Sequence, residues 1–483
     1  MSLSSSNQWQ PTSGDCEWSN DMCQTAMIEC PEKPQLGCDK LDWPKMYDSD
    51  PKKAPLEFIA RIKEEDLHSI KTDTTFEYEV PILFKESSCD DLDDYIKVGI
   101  RRKKGAAITN GGISKVSYKI NINKFKHECK GAHDWHGIKK LSLENGDNMD
   151  VVSEQLVWQM AKLAEDEGLF GDHYKPGLAN LVKLTFEIVP EHEDLHSYDG
   201  HVEIEEAGVY VNAEQGKFLV YCLLSQYHII LLHDICTFLS LLFKVDHQFF
   251  KNRMEEGDDN LLYLYKSADS KTPLEKKKEA CDNTDSPTLT SLKCHPFGNG
   301  GQCDADEVDD HFNMDVLLTH AAIEAVTTTY SGALDGGNMF IVDYVTGTCP
   351  DVYKATKKRE VYAWDLDYCF KHHRIDRSIY GCDRSSGKQT KQQEFIFSNQ
   401  GFLDTYNDKM KRLVATGTGE IIHKAMDYLG QLEHTLKPCL EKDVNSKGAL
   451  GSFETLKKFL VHRSEVITKE LDSPDPLCSI MTE

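Results

Sequence analysis

Three observations predict an α+β chain of two lobes, strands first and helices after. Apolar and β-branched residues alternate with polar ones through 56–62, 76–84, 95–100 and 115–122, which is the period of strands bounded by turns. Residues 308–326, 402–436 and 453–471 instead carry apolar residues at helical spacing. At 483 residues the chain is also longer than one small core organises.

In chain order, residues 1–54 are polar and turn-forming, close on Asp48-Ser-Asp-Pro-Lys-Lys53, and read as an extension, with the folded part starting near Pro55 and running to about 475. A small-residue loop, Gly105 to Gly112, lies between two of the first strands. Asp150 stands where an N-cap would, ahead of Leu156, Trp158, Met160, Leu163 and Ala164, so a helix follows it. Residues 218–243 are the most apolar stretch, 19 of 26 from the hydrophobic set. They also contain Gln226, His228, His233 and Asp234, and one Asp near a helix centre costs ~2.5–3.5 kcal/mol on insertion, so a membrane span is not expected. The polar segment 269–307, with Glu275-Lys-Lys-Lys-Glu279, reads as a solvated loop, and 476–483 as a tail.

Composition narrows the function. With 55 Lys and Arg against 80 Asp and Glu the net charge is −25, and such a surface repels nucleic acid unless cations are locally concentrated. A divalent cation carried by carboxylates suits it better. The 16 cysteines include no Cys-x-x-Cys pair, which disfavours thiolate metal sites. Cys16, Cys23, Cys30 and Cys38 in the extension read either as a disulfide-stapled extracellular segment or as thiols in a reducing compartment. Cysteine use points towards the cell surface or secretory pathway; the lack of an Asn-x-Ser/Thr sequon and of a signal-type start points the other way.

Three segments combine charge with apolar framing. Arg101-Arg-Lys-Lys-Gly105, followed by Lys115 and Lys119, concentrates cations beside glycines that let backbone N–H groups approach phosphate; it also reads as a solvated basic strand. Gly208-Val-Tyr-Val-Asn-Ala-Glu214-Gln215 delivers a carboxylate at a strand end. Leu334-Asp335-Gly-Gly-Asn338, ahead of one strand, and Trp364-Asp365-Leu-Asp367, on the next, present hard oxygen donors suited to Mg²⁺ on nucleotide phosphates. Two residues apart on a strand, Asp365 and Asp367 would share a face. The same residues also read as an Asp-capped hairpin with Trp364 in the core.

Taken together, these words resemble the CotH kinase family, atypical protein kinases related to spore-coat protein H. The likeness runs from about 55 to 475 through Val98-Gly-Ile-Arg-Arg-Lys-Lys-Gly105, Ser117-Tyr-Lys-Ile120, Trp135 to Leu143, Gly208 to Gln215, Asn260 to Lys266, Asn313-Met-Asp315, Trp364-Asp-Leu-Asp367, and Phe459 and Arg463 near the end. The resemblance implies a two-lobed, atypical protein-kinase-like fold with a β-rich N-lobe and a helical C-lobe. It implies transfer of the γ-phosphoryl of ATP to protein Ser or Thr. Lys119 or Lys115 would hold the phosphates, with Arg102 and Gly105 beside them and Glu214 orienting the lysine. Asn338 and Asp365 would bind Mg²⁺ or Mn²⁺, supported by Asp367, and Asp335 would position the acceptor hydroxyl.

The chain departs from the family pattern twice. Where the family places its catalytic Asp, this chain reads Thr327-Thr-Thr-Tyr-Ser-Gly332. Residues 216–244 also interrupt a pattern that the join of Gln215 to Val245 restores, so they read as an insertion rather than a span. A catalytically weak or inactive surface or coat protein, acting in adhesion or assembly, is the alternative.

Overall fold

The computed structural model describes residues 46–85, 95–103, 108–110, 113–122, 124, 138, 140–146, 150–214, 261–267, 275–278, 305–329, 334, 339–346, 354–355, 358–363, 366, 369–382, 389–414, 421–443, 445 and 447–478. The fold divides into two units: 1–155 with 179–214 and 427–454, and 156–178 with 215–426 and 455–483.

Alternation builds the first unit. Strands β1 (Leu56–Lys63), β2 (Tyr78–Lys85), β3 (Ile96–Arg102), β6 (Tyr118–Asn121), β7 (Lys140–Glu144), β8 (Ala179–Val189) and β9 (Glu203–Glu214) form a closed barrel in the order β1-β2-β3-β6-β7-β9-β8. A separate pair, β4 (Ile108–Asn110) and β5 (Ile113–Lys115), precedes β6. Phe58, Ala60, Ile62, Ile82, Ile100, Ile120, Leu143, Leu184 and Phe186 are fully buried, every second residue along their strands. Inside, Tyr118 meets Phe186 and Tyr210 edge-on at 5.7 and 5.8 Å, and Phe58 meets Phe84 at 4.7 Å. Helix α1 (Glu64–Thr72) covers the barrel with Leu67 and Ile70. Helix α2 (Val151–Asp166) starts where the sequence predicts, with the Asp150 carboxylate accepting from the Val152 and Ser153 amides at 3.0 Å.

Closure of this barrel corrects the expected kinase-like fold. The strands were legible as local alternation, and an open β-rich N-lobe was the natural reading of them. β8 instead runs parallel to β1 from Leu56↔Val182 to Lys63↔Val189, and β9 joins β8 to β7, so the sheet has no free edge. A closed barrel is not a typical kinase N-lobe. The folded part also begins earlier than Pro55: Met46 and Tyr47 are buried, and the Met46 carbonyl accepts from Asn212.

A bulge in β9 anchors the C-terminal part of this unit. The register shifts at Leu184/Thr185, opposite Gly208, which has φ +111°. A Cβ there would lie 2.3 Å from the Asp443 carboxylate, so only glycine fits. The same carboxylate oxygen accepts from the Val209 amide and from the Lys115 amine, each at 2.9 Å.

The second unit pairs a sheet with helices. β10 (Leu261–Ser267), β11 (Glu275–Lys278), β12 (Met339–Thr346) and β13 (Lys354–Ala355) run in the order β11-β10-β12-β13, and β14 (Glu360–Ala363) pairs with β12. Its helices are α3 (Ala305–His311), α4 (Met314–Thr327), α5 (Lys391–Ser398), α6 (Gln400–Val414), α7 (Ile421–Lys442) and α8 (Ser452–Asp472), the last two shared with the first unit, as is α2, which belongs to this unit from Leu156 on. The charged run 275–278, read as loop, is a strand, because pairing with β10 supplies the backbone bonds that its polarity does not require. The region 308–326 breaks into two helices at Phe312–Asn313, where Asn313 caps α4 by accepting from the Val316 amide. α4 is buried almost all round, as a central helix must be. Tyr174 bonds His320 at 2.6 Å and the Val361 carbonyl at 2.9 Å, and burial pushes His320 down to about 3. The fully buried Arg463 donates to the carbonyls of Ala325, Ile375 and Arg377. A disulfide joins Cys382 to Cys478. Among the described residues no helix is long and apolar enough to cross a membrane; residues 216–244 lie outside them.

Candidate anion-binding face

Because Tyr118 and Ile120 point into the barrel, Lys119 between them points out. Register then sets its neighbours. Arg101 on β3 faces Lys119 across one ladder, Ser142 on β7 faces it across the other, and Lys140 sits opposite Asn121 on the same outer face. Lys103, just past β3, forms an ion pair with Glu144, whose carboxylate also accepts from the Ser142 hydroxyl at 2.6 Å. Four cations and one carboxylate thus share one face of three adjacent strands.

Lys119 and Lys140 are the uncommitted members, and Lys119 is the one at the centre of the cluster. The Lys119 amine makes no hydrogen bond or ion pair with the described residues, and the residue is half-buried. Burial, then the charges of Lys103 and Arg101, draw its amine down to about 7; Glu144 opposes this and Lys140 adds to it. Burial pushes Glu144 the other way, but the Lys103 ion pair and the Ser142 hydroxyl hold its carboxyl below the usual range. An anion arriving at this face would meet amine and guanidinium donors and would raise the proton affinity of Lys119 as it bound.

The other predicted site residues are placed differently. Lys115, the alternative phosphate lysine, has a fully buried amine tied to Asp443, to the Val209 carbonyl and over the Tyr210 ring at 4.7 Å. Burial lowers its proton affinity and Asp443 opposes that. Arg102 alternates onto the face opposite Lys119, where its guanidinium donates to the Lys71 carbonyl at 2.7 Å. Glu214 pairs with Leu141, one residue out of step with Ser142, so it too lies on the face opposite Lys119, and the carboxylate beside Lys119 is Glu144. Thr327, Thr328 and Thr329 are buried, with the Thr327 and Thr329 hydroxyls 2.7 Å apart, and Thr328 and Thr329 line a small cavity together with Glu324.

Gly105, Asp335, Asn338, Asp365 and Asp367 lie outside the described residues. The strands they adjoin are described: Met339 faces Ala363 across the β12–β14 ladder, so the chain enters β12 and leaves β14 at the same end. Among the described residues no group of three or more His, Cys, Asp or Glu is placed to hold a metal.

Sequence reasoning missed Lys140 and Glu144 as site residues. Their spacing of four on one strand puts them on a common face, and that was the available signal. Which face they share with Lys119 depends on register, which no local pattern carries. No protein-family model matches the chain. No curated protein matches it either.

Proposed function

We propose that the protein binds the phosphates of ATP on the outer face of β3, β6 and β7 and transfers the γ-phosphoryl to Ser or Thr hydroxyls of a protein. The observation that carries this reading is the uncommitted Lys119 amine among Arg101, Lys103 and Lys140 in a chain of net charge −25. Local concentration of cations is what a polyphosphate needs on an otherwise repelling surface. The resemblance to CotH kinases, stated above on sequence words, supports the choice of nucleotide and acceptor.

In this reading Lys119 pairs with phosphate oxygens, and Arg101 and Lys140 add charge around them. Glu144 holds Lys103 in place. Asn338 and Asp365, with Asp367, supply oxygen donors of the kind Mg²⁺ or Mn²⁺ takes. Such an ion would neutralise charge on the transferring group. Asp335 would orient the acceptor hydroxyl. Phosphoryl transfer needs little more than positioning and charge neutralisation, and these residue types supply that chemistry.

The test is titration of the full chain with ATP, with and without Mg²⁺, beside Lys119→Gln. Binding by the wild type and a loss of about 10- to 100-fold in the variant are expected from removal of one charge-assisted contact. Unchanged affinity in Lys119→Gln would sink the phosphate role. A labelling assay on a Ser-rich acceptor reads the transfer itself, and Asp365→Ala is expected to abolish it. Failure to bind ATP at all would favour the non-catalytic adhesion or assembly protein.

A further inference from the structure

We propose that Lys119 is a site of reversible carboxylation, its amine taking up dissolved carbon dioxide as a carbamate that Arg101, Lys103 and Lys140 hold. The geometry supplies each requirement of that chemistry. The amine must be free of an internal partner, and the Lys119 amine makes no hydrogen bond or ion pair with the described residues. It must be reachable by a small solute, and Lys119 is half-buried rather than enclosed. The product turns a cation into an anion, so it needs positive charge already in place. Arg101 faces Lys119 directly across the β3–β6 ladder, and Lys103 and Lys140 act on it from the same face.

The same surroundings make the reactive form available. Burial, and after it three cations, leave the amine at about 7, so near neutral pH much of it carries a lone pair. Among the described residues the carboxylate acting on it is Glu144, which is engaged with Lys103 and Ser142. Lys115, four residues away, fails each requirement: its amine is fully buried and bound to Asp443 and the Val209 carbonyl.

The step balances without a further reagent. The neutral amine nitrogen attacks the carbon of carbon dioxide, one C=O π pair moves onto oxygen, and the nitrogen gives up a proton to solvent. The net change is amine plus carbon dioxide to carbamate plus one proton, with no oxidation or reduction. Its consequence rests on the phosphate reading, although the chemistry does not: a carboxylated Lys119 presents an anion where ATP would place one, so carbon dioxide and ATP would exclude each other.

The experiment is carbon-13 NMR of the full chain under labelled bicarbonate without nucleotide, with alkyl trapping and peptide mass mapping of the same sample. A single slow-exchanging carbamate that maps to Lys119 is expected, and it should disappear in Lys119→Arg. At constant dissolved carbon dioxide its occupancy should rise more than about tenfold from about pH 6 to about pH 8, since both amine deprotonation and proton release favour it. Mapping in the wild type needs no variant to fold. No label on Lys119, or label spread evenly over the surface lysines, would overturn the assignment. Adding ATP with Mg²⁺ separates the two readings: displacement of the carbamate supports both, and a carbamate that persists under saturating ATP leaves the carboxylation standing and rejects the phosphate site.

Discussion

Lys115 and Lys119 stand four residues apart and meet opposite fates. Lys115 turns inward to a single buried carboxylate, so the pair is a structural lock. Removing one partner strands a buried charge: Asp443→Asn is expected to cost about 3–5 kcal/mol in denaturant unfolding, whereas the double change Lys115→Met with Asp443→Leu should recover much of that. Lys119 turns outward into like charge. Its folded value near 7 lies below the ordinary 10.5, so between those limits the unfolded chain binds more protons and stability rises with pH. Lys119→Met should therefore raise the thermal midpoint more at about pH 6, where the whole penalty acts, than at about pH 10, where most of it has gone. Bound phosphate works in the opposite sense. It favours the protonated amine, so ATP affinity is expected to fall as pH rises through about 7, with proton uptake on binding visible by calorimetry in buffers of different ionisation heat.

At the scale of elements, what could be read from sequence was whatever is local. Strands 56–62 and 95–100 matched β1 and β3 because every second residue there is apolar, and Asp150 marked the start of α2 because a cap acts within three residues. Asp150→Ala is expected to destabilise the first unit by about 1 kcal/mol, measured against urea. Elements that depend on a distant partner were not legible. β11 has the composition of a loop and becomes a strand only through β10; β8 could not announce that it would run parallel to β1. The candidate site follows the same rule. Lys119 was found because it is a lysine in a strand. Glu214 was chosen as its partner because both lie at strand positions in family-like words, yet a one-residue difference in register sends them to opposite faces and brings in Glu144. Gly208 is the converse case: its necessity comes from Asp443, 235 positions later, and Gly208→Ala should destabilise by at least about 1–3 kcal/mol through strain at positive φ and the collision with the carboxylate.

For the whole molecule, the two units are interleaved along the chain rather than consecutive. The disulfide Cys382–Cys478 joins two residues of the second unit across a separation of 96 residues, a loop that includes residues 427–454 of the first. Its reduction, or Cys382→Ser, is expected to lower that unit's stability by about 2–4 kcal/mol by releasing unfolded-state entropy, with protease nicking between 382 and 478 as the reporter.

Interleaving also bears on how the polypeptide leaves the ribosome. When β9 has emerged the barrel has all its strands, but the counter-ion for Lys115 lies in a segment more than two hundred codons downstream. Until that segment is synthesised, the nascent first unit holds the Lys115 ammonium group without its Asp443 counter-ion. Chains terminated after about residue 214 should therefore engage chaperones, and supplying residues 427–454 as a separate peptide should release them.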